Sequence, residues 1–331
     1  MGYAHDIFIR SKHQINGLIF GLNNKLKFDN LSKAKGVRIL VYHGICVSDP
    51  FKFNTLFITQ KKWEEQLQLY KKYFDIISLE DVYNGGYDPQ KFSICLTFDD
   101  GFANNHKYVL PLLDKYQIPA TFFVTSIRKC GYDFLWNDIL SIAGKIGPPE
   151  IWYDDQQFKR LKGKYQSKKQ RQILTNILRD GNFERKKDVI NLLNSAMNFK
   201  KKVPEDYWLQ MTTDQIKAMS SCKWVTIGSH SLYHNDLTKN SIQDLQYDLK
   251  ESKAFLESIT GKEVKALAFP YGSYTKLVIE QAKSAGFTQI LATNFLFKDD
   301  QYDPALKERL TINPFLSPIN QLHATISGFD K

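Results

Sequence analysis

Two adjacent carboxylates follow an almost wholly apolar run in the sequence. Asp99 and Asp100, with Gly101 after them, come directly behind Phe92–Phe98. Neighbouring carboxylates at the end of a buried strand repel each other and are costly to desolvate. A cation removes that penalty, because one carboxylate can bind the metal while the other acts as a base toward a bound water. The alternative is that both aspartates cap a helix that begins near Asn104.

Two histidines follow a second apolar run. His230 and His234 come after Trp224–Ile227, and a spacing of four residues lets two imidazoles meet on one face of a helical turn. Since both motifs follow strands, all four side chains are expected at one strand-end edge, where the active sites of α/β barrels lie. Two imidazoles and one carboxylate leave a zinc-type ion one open position for water. The combined pattern therefore predicts a catalytic site with one divalent metal ion.

A third motif follows a later apolar run. Pro270, Tyr271 and Gly272 come after Ala266–Phe269 and predict a rigid turn that presents backbone N–H groups and an aromatic ring. Such a turn suits an oxyanion and the face of a sugar, although alone it is no more than a turn.

Short apolar runs alternate with helix-period segments along the chain. Parallel strands that are buried on both faces have this near-continuous apolar pattern, so the alternation predicts an α/β fold. The number of units favours a distorted (β/α)7-8 barrel. Its predicted strands are Val37–Tyr42, Phe74–Ser78, Phe92–Phe98, Ala120–Thr125, Trp224–Gly228, Ala266–Phe269 and Ile290–Thr293, with an eighth candidate at Arg309–Ile312.

One interval breaks this alternation. We expect a helical, partly basic insertion at 129–210, between strands 4 and 5, within a barrel domain at 36–330. Residues 156–202 hold fourteen Lys and Arg against three Asp and Glu, whereas the net charge of the whole chain is only +10. Aromatic residues are sparse there, which argues against nucleic acid as the partner. An anionic membrane surface is the other candidate, because clustered Lys and Arg are attracted to it.

The remaining features bear on location. Residues 1–35 contain an amphipathic segment, with Ile15, Leu18, Ile19, Leu22 and Leu26 on one face, which either meets a membrane or closes the bottom of the barrel. The four cysteines form no CxxC pair, which argues against a disulfide framework and favours a reducing compartment. We therefore expect a cytoplasmic protein, peripheral to the membrane if the basic segment engages it.

The three motifs, in this order, resemble those of the polysaccharide deacetylase superfamily, carbohydrate esterase family 4. The matching residues are Thr97-Phe98-Asp99-Asp100-Gly101, His230-Ser231-x-x-His234 and Phe269-Pro270-Tyr271-Gly272. Together with Val41-Tyr42-His43-Gly44, they look most like the exopolysaccharide and surface-glycan branch.

The resemblance implies a role for each motif residue. Asp99 would be the catalytic base, and Asp100, His230 and His234 would bind the metal, usually zinc. A backbone N–H near Tyr271 would stabilise the oxyanion. Metal-bound water would attack the N-acetyl carbonyl of an amino sugar in a polysaccharide or lipid-linked glycan, and the departing amine would then be protonated.

The sequence departs from the family pattern at two places. Ala268 stands where many members have an arginine that orients the base, and Arg309 is the expected substitute, against an ordinary helix-end arginine. The late histidine motif that supplies the general acid is missing. His43, at a strand end, is the candidate acid, with a structural histidine as the alternative, while His323 is expected at the surface.

The resemblance also leaves alternatives open. Trp136 is either a residue that lines the cleft beside Pro270 and Tyr271 or a core tryptophan. For the whole protein, the alternatives to a sugar N-deacetylase are a metal-dependent amidase acting on a non-sugar amide and an inactive glycan-binding homologue.

Overall fold

A computed structural model describes residues 33–328 of this chain, so the predicted segment 1–35 lies almost wholly outside the described residues. The strands are, in chain order, β1 Gly36–Tyr42, β2 Ile45–Cys46, β3 Ile58–Thr59, β4 Asp75–Ile77, β5 Phe92–Phe98, β6 Ala120–Val124, β7 Glu150–Tyr153, β8 Gln156–Leu161, β9 Lys164–Ser167, β10 Val225–Ser229, β11 Ala266–Ala268, β12 Gln289–Ala292, β13 Leu306–Glu308 and β14 Leu310–Thr311.

The main sheet is a nearly closed parallel barrel, as the sequence predicts. Its strand order is β13-β12-β11-β10-β6-β5-β1-β14, and β4 pairs with the first half of β5. The wall closes because β13 pairs with β12 while β14 pairs with β1, and only Arg309 separates these last two strands. The eighth predicted strand, Arg309–Ile312, corresponds to β14, and β13 before it was not predicted.

Ten α-helices are described, seven packed around the barrel and three, which begin at Trp136, Leu174 and Phe183, in the insertion. They are Gln60–Tyr73, Leu79–Asn84, Leu110–Tyr116, Trp136–Ile146, Leu174–Arg179, Phe183–Met197, Thr213–Ser221, Ile242–Thr260, Lys276–Ser284 and Pro318–Ser327. Local signals fix their ends. The hydroxyl of Ser241 accepts a hydrogen bond from the N–H of Asp244 at the start of the longest helix, and Gly261, at φ 65°, ends that helix.

Small and medium side chains fill the barrel. Ile39, Cys95, Phe123, Ala268 and Leu291 pack together between the strands. Alternation along β5 places Thr97 and Asp99 on the same side as Cys95, so the carboxyl end of this strand directs Asp99 inward.

The insertion between β6 and β10 has its own hydrophobic core and contains a sheet as well as helices. Its helices begin at Trp136, Leu174 and Phe183, while β7, β8 and β9 form an antiparallel sheet that the sequence analysis missed. Phe158 is the single buried residue of β8, so the strand lacks a strong alternating pattern.

Two further features of the described part bear on the predictions. The four cysteines are all free thiols. No helix within residues 33–328 is both long and apolar enough to cross a membrane.

Candidate active site and metal centre

A sharp turn separates the two aspartates. Asp100 and Gly101 both have left-handed backbones, with φ 76° and 82°. A Cβ at Gly101 would lie 2.9 Å from Cγ1 of Val124, so the turn requires glycine for space as well as for conformation. The helical turn Asn105–Val109 has no side-chain hydrogen bond capping its start, so neither aspartate caps it.

Asp99 forms a buried ion pair with Arg309. Nη1 and Nη2 of the arginine donate to the two carboxylate oxygens at 2.7 and 2.8 Å, and Nη1 also reaches the hydroxyl of Thr97 at 3.2 Å. Burial alone would raise the pKa of Asp99, but the charges of Arg309 and His230 outweigh it and lower the pKa below its ordinary value. Asp99 is therefore held in its ionised form, in a fixed orientation.

Asp100 faces the two histidines. Its Oδ1 lies 3.4 Å from Nε2 of His230 and 3.1 Å from Nε2 of His234, and all three side chains are buried. Their potential ligand atoms lie within 4.8 Å of one another, and this is the only such group of three or more that the described part of the chain contains. Burial would raise the pKa of Asp100, yet the two adjacent histidines hold it well below its usual range.

The donor set fits a divalent cation. Nδ1 of His230 is 2.8 Å from the carbonyl oxygen of Ala268. A neutral imidazole that donates there keeps the lone pair of Nε2 for a metal, which is the usual arrangement around a metal-binding histidine. Burial lowers the pKa of His234 and favours its neutral form, whereas Asp99 and Asp100 outweigh burial and raise the pKa of His230. One carboxylate and two imidazoles in a buried cluster are typical zinc ligands.

The histidine segment is a loop and not the helical turn that the spacing suggested. Ser231 and His234 have left-handed backbones, at φ 66° and 54°, and the N–H of His234 donates to the hydroxyl of Ser231 at 3.0 Å. The two imidazole centroids nevertheless lie 5.1 Å apart, so both rings reach the same carboxylate.

Trp136 is hydrogen-bonded to the backbone of this loop. Its indole N–H donates to the carbonyl oxygen of His234 at 2.9 Å, and the side chain is 1% exposed. Of the two alternatives, a core tryptophan describes Trp136. Its side chain positions a candidate metal ligand and does not line an open cleft.

The third motif forms the predicted turn beside the metal cluster. Gly272 N–H donates to the carbonyl oxygen of Phe269 and closes the turn around Pro270, which is buried. Tyr271 has φ 61°, a rare conformation for an aromatic residue. A Cβ at Gly272 would lie 2.1 Å from Oγ1 of Thr293, so this position admits no side chain. The Tyr271 ring centroid lies 4.8 Å from that of His234.

The two remaining candidate histidines lie in different surroundings. His43 is half-buried at the carboxyl end of β1, and its neighbour Tyr42 is in register with Phe98, which precedes Asp99. This register places His43 at the same edge as the two aspartates. The prediction that His323 lies at the surface is wrong, because His323 is on the buried side of the helix Pro318–Ser327.

Two residues that sequence reasoning missed also hold the site. Arg179 of the insertion hydrogen-bonds Asp236 and Ser273, at 3.0 Å in each case. Asp248, on the helix Ile242–Thr260, accepts a hydrogen bond from the N–H of Leu232 at 2.7 Å within the histidine loop. Neither residue belongs to a motif, so no spacing signal in the sequence could have identified them.

Solved structures share this fold. A deacetylase from Streptococcus pyogenes, PplD, in complex with acetate, is 19% identical, with 89% of this chain and 99% of that chain covered and a TM-score of 0.57. IcaB from Ammonifex degensii is 16% identical, with the same two coverages and a TM-score of 0.55. BC0361, a polysaccharide deacetylase from Bacillus cereus, is 20% identical, with 89% and 70% covered and a TM-score of 0.54. No curated protein matches the chain.

The fold and the site define an α/β-barrel protein with a buried Asp-His-His cluster at the carboxyl ends of its strands. The family model described as polysaccharide deacetylase matches residues 86–145 and 199–290. The chain is similar to this family over those two ranges. The gap between the two matched ranges, residues 146–198, falls within the insertion.

We predict that the protein binds one divalent ion through Asp100, His230 and His234. Changing either histidine to Ala should lower the metal content measured by elemental analysis from about one ion per chain to near zero, because a buried site with two remaining ligands loses most of its affinity. His323→Ala serves as the control, since it removes a histidine on the helix Pro318–Ser327 that is not one of the three candidate ligands. Full metal content in a His230→Ala, His234→Ala double variant would refute the assignment.

Proposed function

We propose that this chain hydrolyses the N-acetyl group of an amino sugar in a polysaccharide or lipid-linked glycan. The observation that carries this proposal is the division of the aspartate pair between two partners. Asp99 is fixed on Arg309, and Asp100 faces His230 and His234. The separation provides a base and a cation site side by side, the combination that metal-assisted amide hydrolysis uses.

Zinc is the metal we propose for Asp100, His230 and His234. When bound, it would supply a Lewis acid that polarises the amide carbonyl and acidifies water. The protein supplies the burial of the site and the orientation of His230 through the carbonyl oxygen of Ala268.

Asp99 acts as the general base in this proposal. Its carboxylate takes a proton from the attacking water as the new C–O bond forms. Arg309 binds both carboxylate oxygens, which fixes the direction of the remaining lone pairs and keeps the group ionised. Arg309 thus takes the part of the arginine that is absent at Ala268.

Two further groups complete the reaction. The backbone N–H of Tyr271 stabilises the negative charge on the carbonyl oxygen, because its turn presents it beside the metal cluster. His43 then donates a proton to the departing amine nitrogen as the C–N bond breaks. The products are acetate and the free amino sugar.

The proposal predicts acetate release from an N-acetylhexosamine polymer or lipid-linked sugar. The assay compares these acceptors with non-sugar N-acetyl amides, using protein that is loaded with zinc or stripped by chelation. Release from the sugars alone, and only with metal, is the expected result. Equal release from non-sugar amides would favour the amidase. Glycan binding without any release would favour the inactive homologue.

The role of His43 predicts a dependence on the leaving group. His43→Ala should lose about 100-fold or more in turnover of an N-acetyl sugar, because the amine cannot leave unprotonated. Hydrolysis of 4-nitrophenyl acetate should fall far less, since its leaving group needs no proton. Equal losses on both substrates, at unchanged zinc content, would contradict an acid role.

The outer face of the β7–β9 sheet supports a membrane partner. Ile151 and Phe158 are buried on the inner face, whereas Trp152 is 65% exposed and Leu161 51% exposed on the outer face. Lys159 and Lys164 lie on the same outer face, and Lys162 lies in the turn between β8 and β9. None of these three lysines has a salt bridge within residues 33–328. Exposed tryptophan with lysine suits the interface of an anionic bilayer. We therefore propose that this face binds the membrane that carries the substrate. A cytoplasmic location, for which the free thiols argue, stays a proposal.

Vesicle sedimentation tests this surface. Wild-type protein should bind vesicles containing phosphatidylserine at low salt and bind pure phosphatidylcholine much more weakly. Changing Lys159, Lys162 and Lys164 to Gln should weaken binding at least tenfold, because each lysine near such a surface contributes about 1 kcal/mol.

The matched control removes the same charge elsewhere. Lys217, Lys223 and Lys250 are exposed on other elements, and their change to Gln should leave vesicle binding unchanged. Equal binding to neutral and anionic vesicles, or equal loss in both triple variants, would refute the proposed face.

A further inference from the structure

One arginine of the insertion connects two loops of the active site. Arg179 is the last residue of the helix Leu174–Arg179. Its Nε donates to Oδ2 of Asp236 at 3.0 Å, and its Nη2 lies 2.9 Å from the same oxygen and donates to the hydroxyl of Ser273 at 3.0 Å. Its guanidinium lies 4.4 Å from the ring centroid of Tyr271. The arginine therefore contacts the histidine loop and the Tyr271 turn together.

The insertion holds this arginine in place. Leu174 and Leu178, one helical turn apart, are both buried in the core of the insertion. Their burial fixes the orientation of the short helix and directs Arg179 toward the barrel. Asp236, the acceptor on the histidine loop, is itself only 3% exposed, so its carboxylate depends on this partner for a charge-assisted hydrogen bond.

The Tyr271 turn needs such support. A non-glycine residue with a left-handed backbone persists only where its surroundings fix it. The ring of Tyr271 contacts His234 on one side and Arg179 on another, yet it is 37% exposed. Its neighbour Ser273 is held by the same arginine. Hence the guanidinium is the polar tie between this turn and the loop that carries His234.

We propose that Arg179 is a positioning residue for the deacetylation proposed above, on which this inference rests. It holds the Tyr271 turn against the histidine loop, so that the Tyr271 N–H meets the oxyanion as charge develops there. The insertion thereby completes the active site of the barrel, in addition to carrying the basic sheet.

Steady-state kinetics with a defined N-acetylated acceptor test this role. Arg179→Met keeps the length of the side chain and removes its hydrogen bonds. Turnover should fall about 10- to 100-fold with KM within about twofold, because an oxyanion contact stabilises the transition state rather than bound substrate. Zinc content and the thermal midpoint should stay close to wild type. Arg179→Lys, which retains the charge without the planar fork, should recover part of the loss.

Two controls isolate the effect. Arg185→Met changes an exposed arginine of the same insertion, paired with Asp154 away from the site, and should leave kcat unchanged. Ser273→Ala removes only one of the hydrogen bonds, so it should lower kcat less than Arg179→Met. It should also add nothing to that variant when the two are combined, since both act through one contact.

The kinetic results distinguish a failure of the positioning role of Arg179 from a failure of the proposed deacetylation. If the wild-type protein releases no acetate, the proposed function fails and the inference falls with it. If the wild type is active, unchanged kcat in Arg179→Met would overturn the inference alone. A rise in KM at constant kcat would instead make Arg179 a substrate contact, and multiplicative losses in the double variant would show that it does not act through Ser273.

Discussion

The buried ion pair between Asp99 and Arg309 is the constraint on which the site depends. A carboxylate in the barrel interior needs a charged partner, because an unpaired buried charge is strongly destabilising. Arg309 reaches the carboxylate of Asp99 because it lies between β13 and β14. At this point the chain passes from pairing with β12 to pairing with β1. The strand pairing that closes the barrel therefore also places Arg309 where it orients Asp99.

The same constraint explains why two adjacent aspartates can differ in function. Along a regular strand, successive side chains would point to opposite faces and Asp100 would leave the site. Its left-handed backbone turns it instead toward His230 and His234, while Asp99 stays on the arginine. Each carboxylate is stabilised by its own partners, and the repulsion between them is offset by Arg309 on one side and imidazoles on the other.

The sequence predicted what local patterns encode. Apolar runs in the sequence predicted the barrel strands. The polar residues that directly follow two of these runs are the candidate site residues Asp99, Asp100, His230 and His234. Arg309, the arginine at the start of the last apolar run, contacts Asp99, and its role toward a base stays a prediction. Its place at the barrel seam, however, depends on strand pairing between distant parts of the chain.

Long-range contacts account for what was missed. Arg179 reaches Asp236 across 57 positions of sequence, and no periodicity signals such a contact. The sequence does not distinguish a cleft from a core position for Trp136. Its indole N–H donates to the distant carbonyl oxygen of His234, and no motif encodes that hydrogen bond. The β7–β9 sheet was missed because β8 buries only Phe158, so its inner face lacks the regular apolar residues that mark a strand.

Asp99 acts as a base and Asp100 as a metal ligand in the proposed mechanism, and one paired measurement tests this difference most directly. Zinc content and acetate release are determined on the same preparations of Asp99→Asn and Asp100→Asn. Asp99→Asn should retain about one zinc ion and lose about 10²–10⁴-fold in turnover, the contribution expected of a general base. Asp100→Asn should lose the metal and the activity together. Loss of zinc from Asp99→Asn, with retention in Asp100→Asn, would contradict the account.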